Sequence, residues 1–198
     1  MLAAMAGNRP SLFLSPGVQA FDLNIEKVLE HWTIPFAIRE VIANALDEQA
    51  LTGTAEPAIF KDGNGRWHVS DSGRGLRYEH LTQNEDAEKR RHPEVIGQFG
   101  MGLKDALAVF DRRGVAVAIR SPHADITTGR RAKEAFPDVV TLHALVYPPS
   151  QPGRTGTDIA LAGVKDEDVD AAKRFSSATA ASMCWSPPTT AASWLAAT

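Results

Sequence analysis

A turn between two short strand-like segments is the sequence feature that most restricts how this chain can fold. The segments, residues 58–60 and residues 66–70, are joined by Lys61-Asp62-Gly63-Asn64-Gly65. Asp, Gly and Asn in this order favour a tight reversal of the backbone, because they accept the dihedral angles that hairpin turns need. The two segments are therefore predicted to pair as an antiparallel β-hairpin.

Helical periodicity precedes the hairpin, and further strands follow it. Apolar residues spaced three or four apart predict a helix over residues 21–32 and a second from Thr33 to about Ala50. Strand-like segments are predicted at residues 115–120, 139–147 and 157–161. Residues 166–175 have the pattern of a short helix. The uncharged segment from residue 175 onward, rich in Ala, Ser and Thr, is expected to be disordered, with an altered or truncated end as the alternative.

Composition and charge exclude several classes of protein. The chain has 198 residues, of which 43% are hydrophobic, so it is long enough to bury the core of one domain. Its 21 Lys and Arg against 24 Asp and Glu argue against a uniformly basic nucleic-acid binder, although they leave a local basic patch open. A single cysteine, Cys184, excludes an internal disulfide and a Cys-rich zinc site. We find neither a long apolar segment nor a secretory signal, and we expect no membrane association and an intracellular location, cytoplasmic or nuclear.

Three polar residues share one face of the second predicted helix. Glu40, Asn44 and Asp47 fall within an arc of roughly 60° when successive residues are placed about 100° apart. This face is opposite the apolar stripe of the helix, and it presents two carboxylates and a carboxamide. An ordinary solvated helix face has the same spacing, so this pattern taken alone does not assign a function.

Two glycine-rich segments are further candidates for a ligand site. The glycine loop, which we define as residues 71–76, has the sequence Asp71-Ser72-Gly73-Arg74-Gly75-Leu76. Its glycines would let the backbone approach a planar ligand, although a simple turn after the hairpin explains them equally well. The second segment, Gly97-Gln98-Phe99-Gly100-Met101-Gly102, leads into a helix with Lys104 in its first turn. Backbone amides at such a helix start suit a phosphate, and the alternative is a flexible hinge.

The order of these segments resembles that of the GHKL ATPases, the family with the Bergerat nucleotide-binding fold that includes heat-shock-90 chaperones, MORC proteins, MutL and histidine kinases. Arg39-Glu40-Val41-Ile42-Ala43-Asn44-Ala45-Leu46-Asp47 is similar to the family's N box. The glycine loop is similar to its first glycine box, and residues 96–104 are similar to its second. Gly156-Thr157 is similar to the Gly-Thr that closes the family's site. The resemblance covers about residues 21–165.

The resemblance implies a role for each matching residue. Glu40 would orient or deprotonate the attacking water, and Asn44 would hold Mg²⁺ through its side-chain oxygen. Asp71, supported by Thr157, would accept the amino group of adenine. Further residues expected at the ATP site are Asp47, Gly73, Gly75 and Leu76 near the base, and Gly97, Gln98, Phe99, Gly100, Met101, Gly102 and Lys104 near the phosphates.

The resemblance also implies an architecture. We expect an α+β two-layer sandwich, with a mixed but mostly antiparallel sheet and helices on one face. An irregular lead-in over residues 1–20 would precede an ATP-binding domain over residues 21–165, in which residues 78–96 form a lid. Residues 166–198 would form the short helix and the uncharged tail.

The implied activity is Mg²⁺-dependent ATP binding with slow hydrolysis, used as a conformational switch. Hydrolysing relatives have a second domain that supplies a catalytic cation, and this chain ends shortly after the ATP-binding segment. We therefore expect any catalytic cation to come from a partner, either a second copy of the chain or another protein, from a missing segment, or not at all. A non-catalytic ATP-binding module is the alternative. A histidine-kinase-type phosphotransferase is less favoured, because such kinases usually have Asn where this chain has Glu40.

Overall fold

The structure, a computed structural model, describes residues 16–23, 30–82, 102–133 and 136–183. Within these residues the chain has seven strands: β1 (Gln19–Asp22), β2 (Ala58–Lys61), β3 (Trp67–Ser70), β4 (Ala116–Arg120), β5 (Asp125–Lys133), β6 (Phe136–Tyr147) and β7 (Asp158–Ala162). It also has four helices: α1 (Ile34–Thr52), α2 (Glu79–Thr82), α3 (Gly102–Arg112) and α4 (Asp166–Met183). The predicted α+β class is confirmed.

The seven described strands form one sheet in the order β1-β6-β5-β4-β7-β3-β2. The sheet was expected to be mixed, but every described pair of neighbouring strands is antiparallel. The hairpin predicted from its turn is confirmed, because β2 pairs with β3 and Lys61 lies opposite Trp67. We refer to residues 62–66, which join these two strands, as the hairpin turn.

The core lies between one face of the sheet and the helices. Residues directly opposite one another in five adjacent strands form an apolar row across the sheet, and each is 7% exposed or less: Val69, Ile159, Ile119, Ile126 and Val146. Helices α1, α3 and α4 contribute buried apolar residues to the same core, and α1 packs against both of the others. These three helices and the sheet therefore share one core.

Helix α1 follows the sequence signals at both ends. Thr33 is in an extended conformation directly before the helix, and Pro35 occupies the first turn, where its missing N–H costs no helical hydrogen bond. At the other end Gly53 adopts a left-handed conformation with φ of 64°, and its N–H donates to the carbonyl oxygen of Gln49 at 2.8 Å. The helix predicted from Thr33 to about Ala50 is therefore confirmed.

One helix prediction is wrong in part, and one strand was not predicted. Residues 21–32 were predicted to be helical, but Phe21 belongs to β1, which pairs with β6, and residues 24–29 lie outside the described residues. The spacing of Phe21 fits a helix, yet pairing at the edge of the sheet packs this ring against the core instead. Strand β5 was not predicted, because the polar sequence of residues 127–131 hides its alternation.

Helix α4 is longer than the segment predicted from the sequence. It continues to Met183, although residues beyond 175 were expected to be disordered, and residues 184–198 lie outside the described residues. The lid expected over residues 78–96 contains α2, while residues 83–101 also lie outside the described residues. No helix in the described part of the chain has the length and hydropathy needed to cross a membrane.

Candidate functional site

The carboxylate of Asp71 organises the segment that follows β3. Its Oδ1 accepts hydrogen bonds from the backbone N–H of Gly73 at 2.9 Å and of Thr157 at 3.2 Å. The backbone N–H of Asp71 donates in turn to the carbonyl oxygen of Thr157 at 2.9 Å. Because β3 and β7 are neighbours in the sheet, Asp71 and Thr157 lie side by side although 86 residues separate them in the chain. The structure thus brings these two sequence-predicted residues together.

Burial raises the pKa of the Asp71 carboxyl above its usual value of 3.8. The hydrogen bonds from Gly73 and Thr157 act in the opposite direction because they stabilise the charged form, while the negative charge of Glu48 adds to the rise. No cation is among the groups of the described residues that shift this pKa. A buried carboxyl that lacks a compensating cation is typical of a binding or catalytic site.

The C-terminal half of the glycine loop is held from two sides. The backbone N–H of Leu76 donates to Oγ1 of Thr157 at 2.9 Å, and Oγ of Ser121 donates to the carbonyl oxygen of Leu76 at 2.7 Å. Gly75 has a φ of +86°, and a Cβ added there would lie 2.5 Å from Cδ of Pro122. Only glycine fits this conformation and this space. Sequence reasoning missed Ser121 and Pro122, since nothing local marks the turn after β4 as a neighbour of the loop.

Helix α1 holds the other side of the glycine loop through Glu48. Oε1 of Glu48 accepts hydrogen bonds from the backbone N–H of Arg74 at 2.7 Å and from its Nε at 2.9 Å, and Oε2 accepts one from Nη2 at 3.0 Å. A Cβ added to Gly73 would lie 2.6 Å from Oε1 of Glu48. Glu48 was not predicted as a site residue. The available signal was its position one turn beyond Asn44 on the polar face of α1.

The N-terminal half of α1 places Glu40 against the start of α3. The side chain of Glu40 is 14% exposed, and the guanidinium of Arg39 donates to its Oε1, with Nε at 3.1 Å. A Cβ added to Gly102, the first residue of α3, would collide with Oε2 of Glu40. Glu40 and Glu48 are eight residues apart, which is about 12 Å along a helix. One helix therefore contacts the glycine loop near its end and α3 near its beginning.

Asn44 and Asp47 lie between these two contacts on α1. Nδ2 of Asn44 donates to the carbonyl oxygen of Glu40 at 2.8 Å, which orients the side-chain amide. Asp47 is 1% exposed, so its carboxyl is inside the protein. The alternative interpretation of this helix face as ordinary solvated surface is therefore wrong for Asp47 and for Glu40.

Charged groups also meet at the first turn of α3. Burial raises the pKa of Asp105, the cation of Lys104 lowers it, and the negative charge of Glu40 raises it. Lys104 and Glu40 therefore both act electrostatically on Asp105, which sequence reasoning missed. Five predicted phosphate-site residues lie outside the described residues: Gly97, Gln98, Phe99, Gly100 and Met101.

The described residues offer few ligands for a metal ion by themselves. In the ranges that the structure covers, no group of three or more His, Cys, Asp or Glu side chains is arranged to hold a metal. A cation bound beside Asn44 would therefore take most of its oxygen ligands from water or from a bound molecule, as Mg²⁺ commonly does at phosphates.

Comparisons with known proteins identify a relative but no family. No family model matches this chain. An uncharacterized protein of Mycoplasma pneumoniae is 39% identical over 154 residues, which cover 76% of this chain and 62% of that protein. The chain thus spans less than two thirds of the length of this relative. Since the relative is itself uncharacterized, the match assigns no function to the chain.

Proposed function

We propose that this chain is an ATP-binding domain of the GHKL type with the Bergerat fold, that it hydrolyses ATP slowly with Mg²⁺, and that the nucleotide acts as a conformational switch. One observation carries most of the support: α1 contacts the glycine loop through Glu48 and the start of α3 through Glu40. A single helix thereby joins the residues that the resemblance assigns to the base, the metal ion and the phosphates.

At the glycine-loop end, Asp71 is suited to accept the amino group of adenine. Both backbone N–H bonds to its carboxylate end on Oδ1, the Thr157 side chain adds a third hydrogen bond to the carboxyl, and Oδ2 is the oxygen that would face a base. Guanine has a carbonyl oxygen where adenine has the amino group, so a carboxylate here would repel guanine. Burial strengthens this discrimination, because an unpaired polar group costs more away from water.

At the other end, α3 begins beside Glu40 and is suited to hold phosphates. A helix of 11 residues presents exposed N–H groups and a partial positive charge at its start, and Lys104 adds a cation in the first turn. A carboxylate at this place could orient a water molecule or accept its proton. Hydrolysis would then depend mainly on positioning and on neutralisation of charge.

The residues present fit a Mg²⁺ ion that is held largely by the nucleotide. Nδ2 of Asn44 donates to the carbonyl oxygen of Glu40, and its amide oxygen is the atom that would bind the cation. One amide oxygen, completed by phosphate and water oxygens, suits the octahedral preference of Mg²⁺. Bound Mg²⁺ would supply neutralisation of the phosphate charge.

Calorimetric titration with Mg-ATP tests binding, and a phosphate-release assay tests hydrolysis. We expect Glu40→Gln to retain ATP affinity and to lose hydrolysis by about 100-fold or more, the usual contribution of a general base. Glu56→Ala, at an exposed residue after α1, is the control and should change neither quantity. Absence of ATP binding by the unmodified chain would contradict the proposal. Unchanged turnover in Glu40→Gln would remove Glu40 from the catalytic role, and transfer of the γ-phosphate to a histidine would instead indicate a kinase.

A non-catalytic ATP-binding module is the second candidate, and the contact between Arg39 and Glu40 favours it. The guanidinium donates to Oε1 through two nitrogens, so Arg39 already occupies the oxygen that would otherwise accept a hydrogen bond from the attacking water. ATP binding accompanied by phosphate release equal to that of a protein-free control would support this candidate over the ATPase.

A further inference from the structure

The contact between Glu48 and Arg74 joins two parts of the proposed site that are 26 residues apart in the chain. Glu48 lies on α1, one turn beyond Asn44, and Arg74 lies in the glycine loop, three residues beyond Asp71. The glutamate is mostly buried, with 19% of its side chain exposed, and it makes three hydrogen bonds to one residue. Such a contact fixes the distance between the helix and the loop.

We infer that Glu48 is a positioning residue for nucleotide binding: by holding the backbone and the guanidinium of Arg74 against α1, it keeps the glycine loop where Asp71 faces the base. This inference rests on the proposed function. It goes beyond that function because Glu48 belongs to none of the matched segments and is not expected to touch the nucleotide.

Glu48 contributes more to this contact than the side chain of Arg74 does. Oε1 accepts the backbone N–H of Arg74, which no substitution of Arg74 other than proline removes. Gly73 is packed so closely against the same carboxylate that an added Cβ would collide with it. Removal of Glu48 therefore releases both residues, whereas removal of the Arg74 side chain leaves the backbone bond in place.

A matched control exists elsewhere in the protein. Asp111 of α3 accepts hydrogen bonds from Nε and Nη2 of Arg130 on β5, at 3.0 and 2.7 Å. Its exposure is 19% and that of Arg130 is 57%, against 19% and 51% for Glu48 and Arg74. The two ion pairs match in exposure and in chemistry, but only Glu48 also accepts a bond from the glycine-loop backbone.

The test measures nucleotide affinity and loop dynamics in Glu48→Ala, Glu48→Gln, Arg74→Ala and Asp111→Ala. Calorimetry gives the affinity for Mg-ATP and for Mg-tripolyphosphate, which has no base, and amide hydrogen exchange follows Gly73 and Arg74 without ligand. We expect Glu48→Ala to weaken ATP binding about tenfold, to leave tripolyphosphate affinity unchanged, and to speed exchange at Arg74. Glu48→Gln and Arg74→Ala should have smaller effects, because each keeps the bond to the backbone N–H. Asp111→Ala should change neither affinity.

The inference would be overturned by unchanged ATP affinity in Glu48→Ala, by an equal loss of tripolyphosphate affinity, or by unchanged exchange at Arg74. Tighter ATP binding in both Glu48 variants would also overturn it, because that result would mean that Glu48 acts only through its negative charge on Asp71. Should Glu48→Ala fail to fold, the same comparison is made with Glu48→Gln and Arg74→Ala. Failure of the unmodified chain to bind ATP would contradict the proposed function instead, and exchange at Arg74 would still decide whether Glu48 holds the loop.

Discussion

The hairpin turn and the glycine loop follow consecutive strands, and each is built around an aspartate. Oδ1 of Asp62 accepts the backbone N–H of Asn64 at 2.9 Å and of Arg66 at 2.8 Å. Oδ1 of Asp71 also accepts two backbone N–H groups, one from Gly73, two residues further along the chain, and one from Thr157. The two carboxylates differ in their charged neighbours: Asp62 is paired with Arg66, whereas no cation is among the groups of the described residues that shift the pKa of Asp71. Oδ2 of Asp62 accepts a bond from Nε of Arg66 at 2.9 Å.

The pKa values of the two carboxyls are shifted in opposite directions. The backbone N–H of Arg66, followed by its guanidinium, holds the pKa of Asp62 far below its usual value. Burial raises the pKa of Asp71, and the nearby charge of Glu48 raises it further. The hairpin turn thus neutralises its aspartate with its own residues, whereas the glycine loop does not. The same local geometry stabilises the fold in one place, and in the other we propose that it serves a ligand.

The largest effect is expected on the free energy of unfolding in Gly75→Ala, for which Gly65→Ala in the hairpin turn is the comparison. Both glycines have positive φ, +86° and +78°, but a Cβ meets Pro122 at Gly75 and open space at Gly65. We expect Gly75→Ala to lower the free energy of unfolding by about 3 kcal/mol, the sum of backbone strain and overpacking. Gly65→Ala should cost about 1 kcal/mol, from backbone strain alone. Denaturant unfolding measures both, and equal losses would show that the glycine loop is not tightly packed.

The next largest effect is expected for nucleotide binding in Asp71→Asn. An asparagine whose oxygen replaces Oδ1 keeps the bonds from Gly73 and Thr157, but it presents a donor to the adenine amino group. We expect ATP affinity to fall roughly 10- to 100-fold, measured by calorimetry. Asp62→Asn is the matched control and should bind ATP as the unmodified chain does. Equal affinity in both variants would remove Asp71 from the base site.

The same comparison shows what the sequence could predict. The hairpin turn was predicted from residues 61–65 alone, because its bonds connect residues within four positions of one another. The pairing of Asp71 with Thr157 was expected only from the resemblance, since it depends on β3 lying beside β7. Glu48 was missed because its partner is 26 residues away and an i, i+4 polar spacing is common to surface helices. Likewise β1 and β5 are strands because they pair with neighbouring strands of the sheet. The local sequence pattern does not specify this pairing.

A smaller effect is expected on the pH dependence of stability in Asp71→Asn. A carboxyl whose pKa is raised on folding binds its proton more tightly in the folded state, so the unmodified chain loses stability as the pH rises above the unfolded value of 3.8. Asp71→Asn does not ionise and should therefore be more stable than the unmodified chain at neutral pH. The advantage should disappear below the unfolded value. Urea unfolding at a series of pH values checks this, and a variant less stable at neutral pH would contradict it.

The smallest effect on the pH dependence of stability is expected for Asp62→Asn, and it is opposite in sign to the effect of Asp71→Asn. A carboxyl whose pKa is lowered on folding contributes stability that is present above the unfolded value of 3.8 and is lost as the pH falls through the folded value. Asp62→Asn lacks this contribution, so it should be slightly less stable than the unmodified chain at neutral pH, and the difference should vanish in strong acid. At neutral pH, Asp71→Asn should therefore be more stable than the unmodified chain and Asp62→Asn less stable. Both differences should shrink as the pH is lowered. If both variants were more stable than the unmodified chain at neutral pH, or both less stable, the two aspartates would not differ as the structure indicates. The glycine loop would then behave as an ordinary turn.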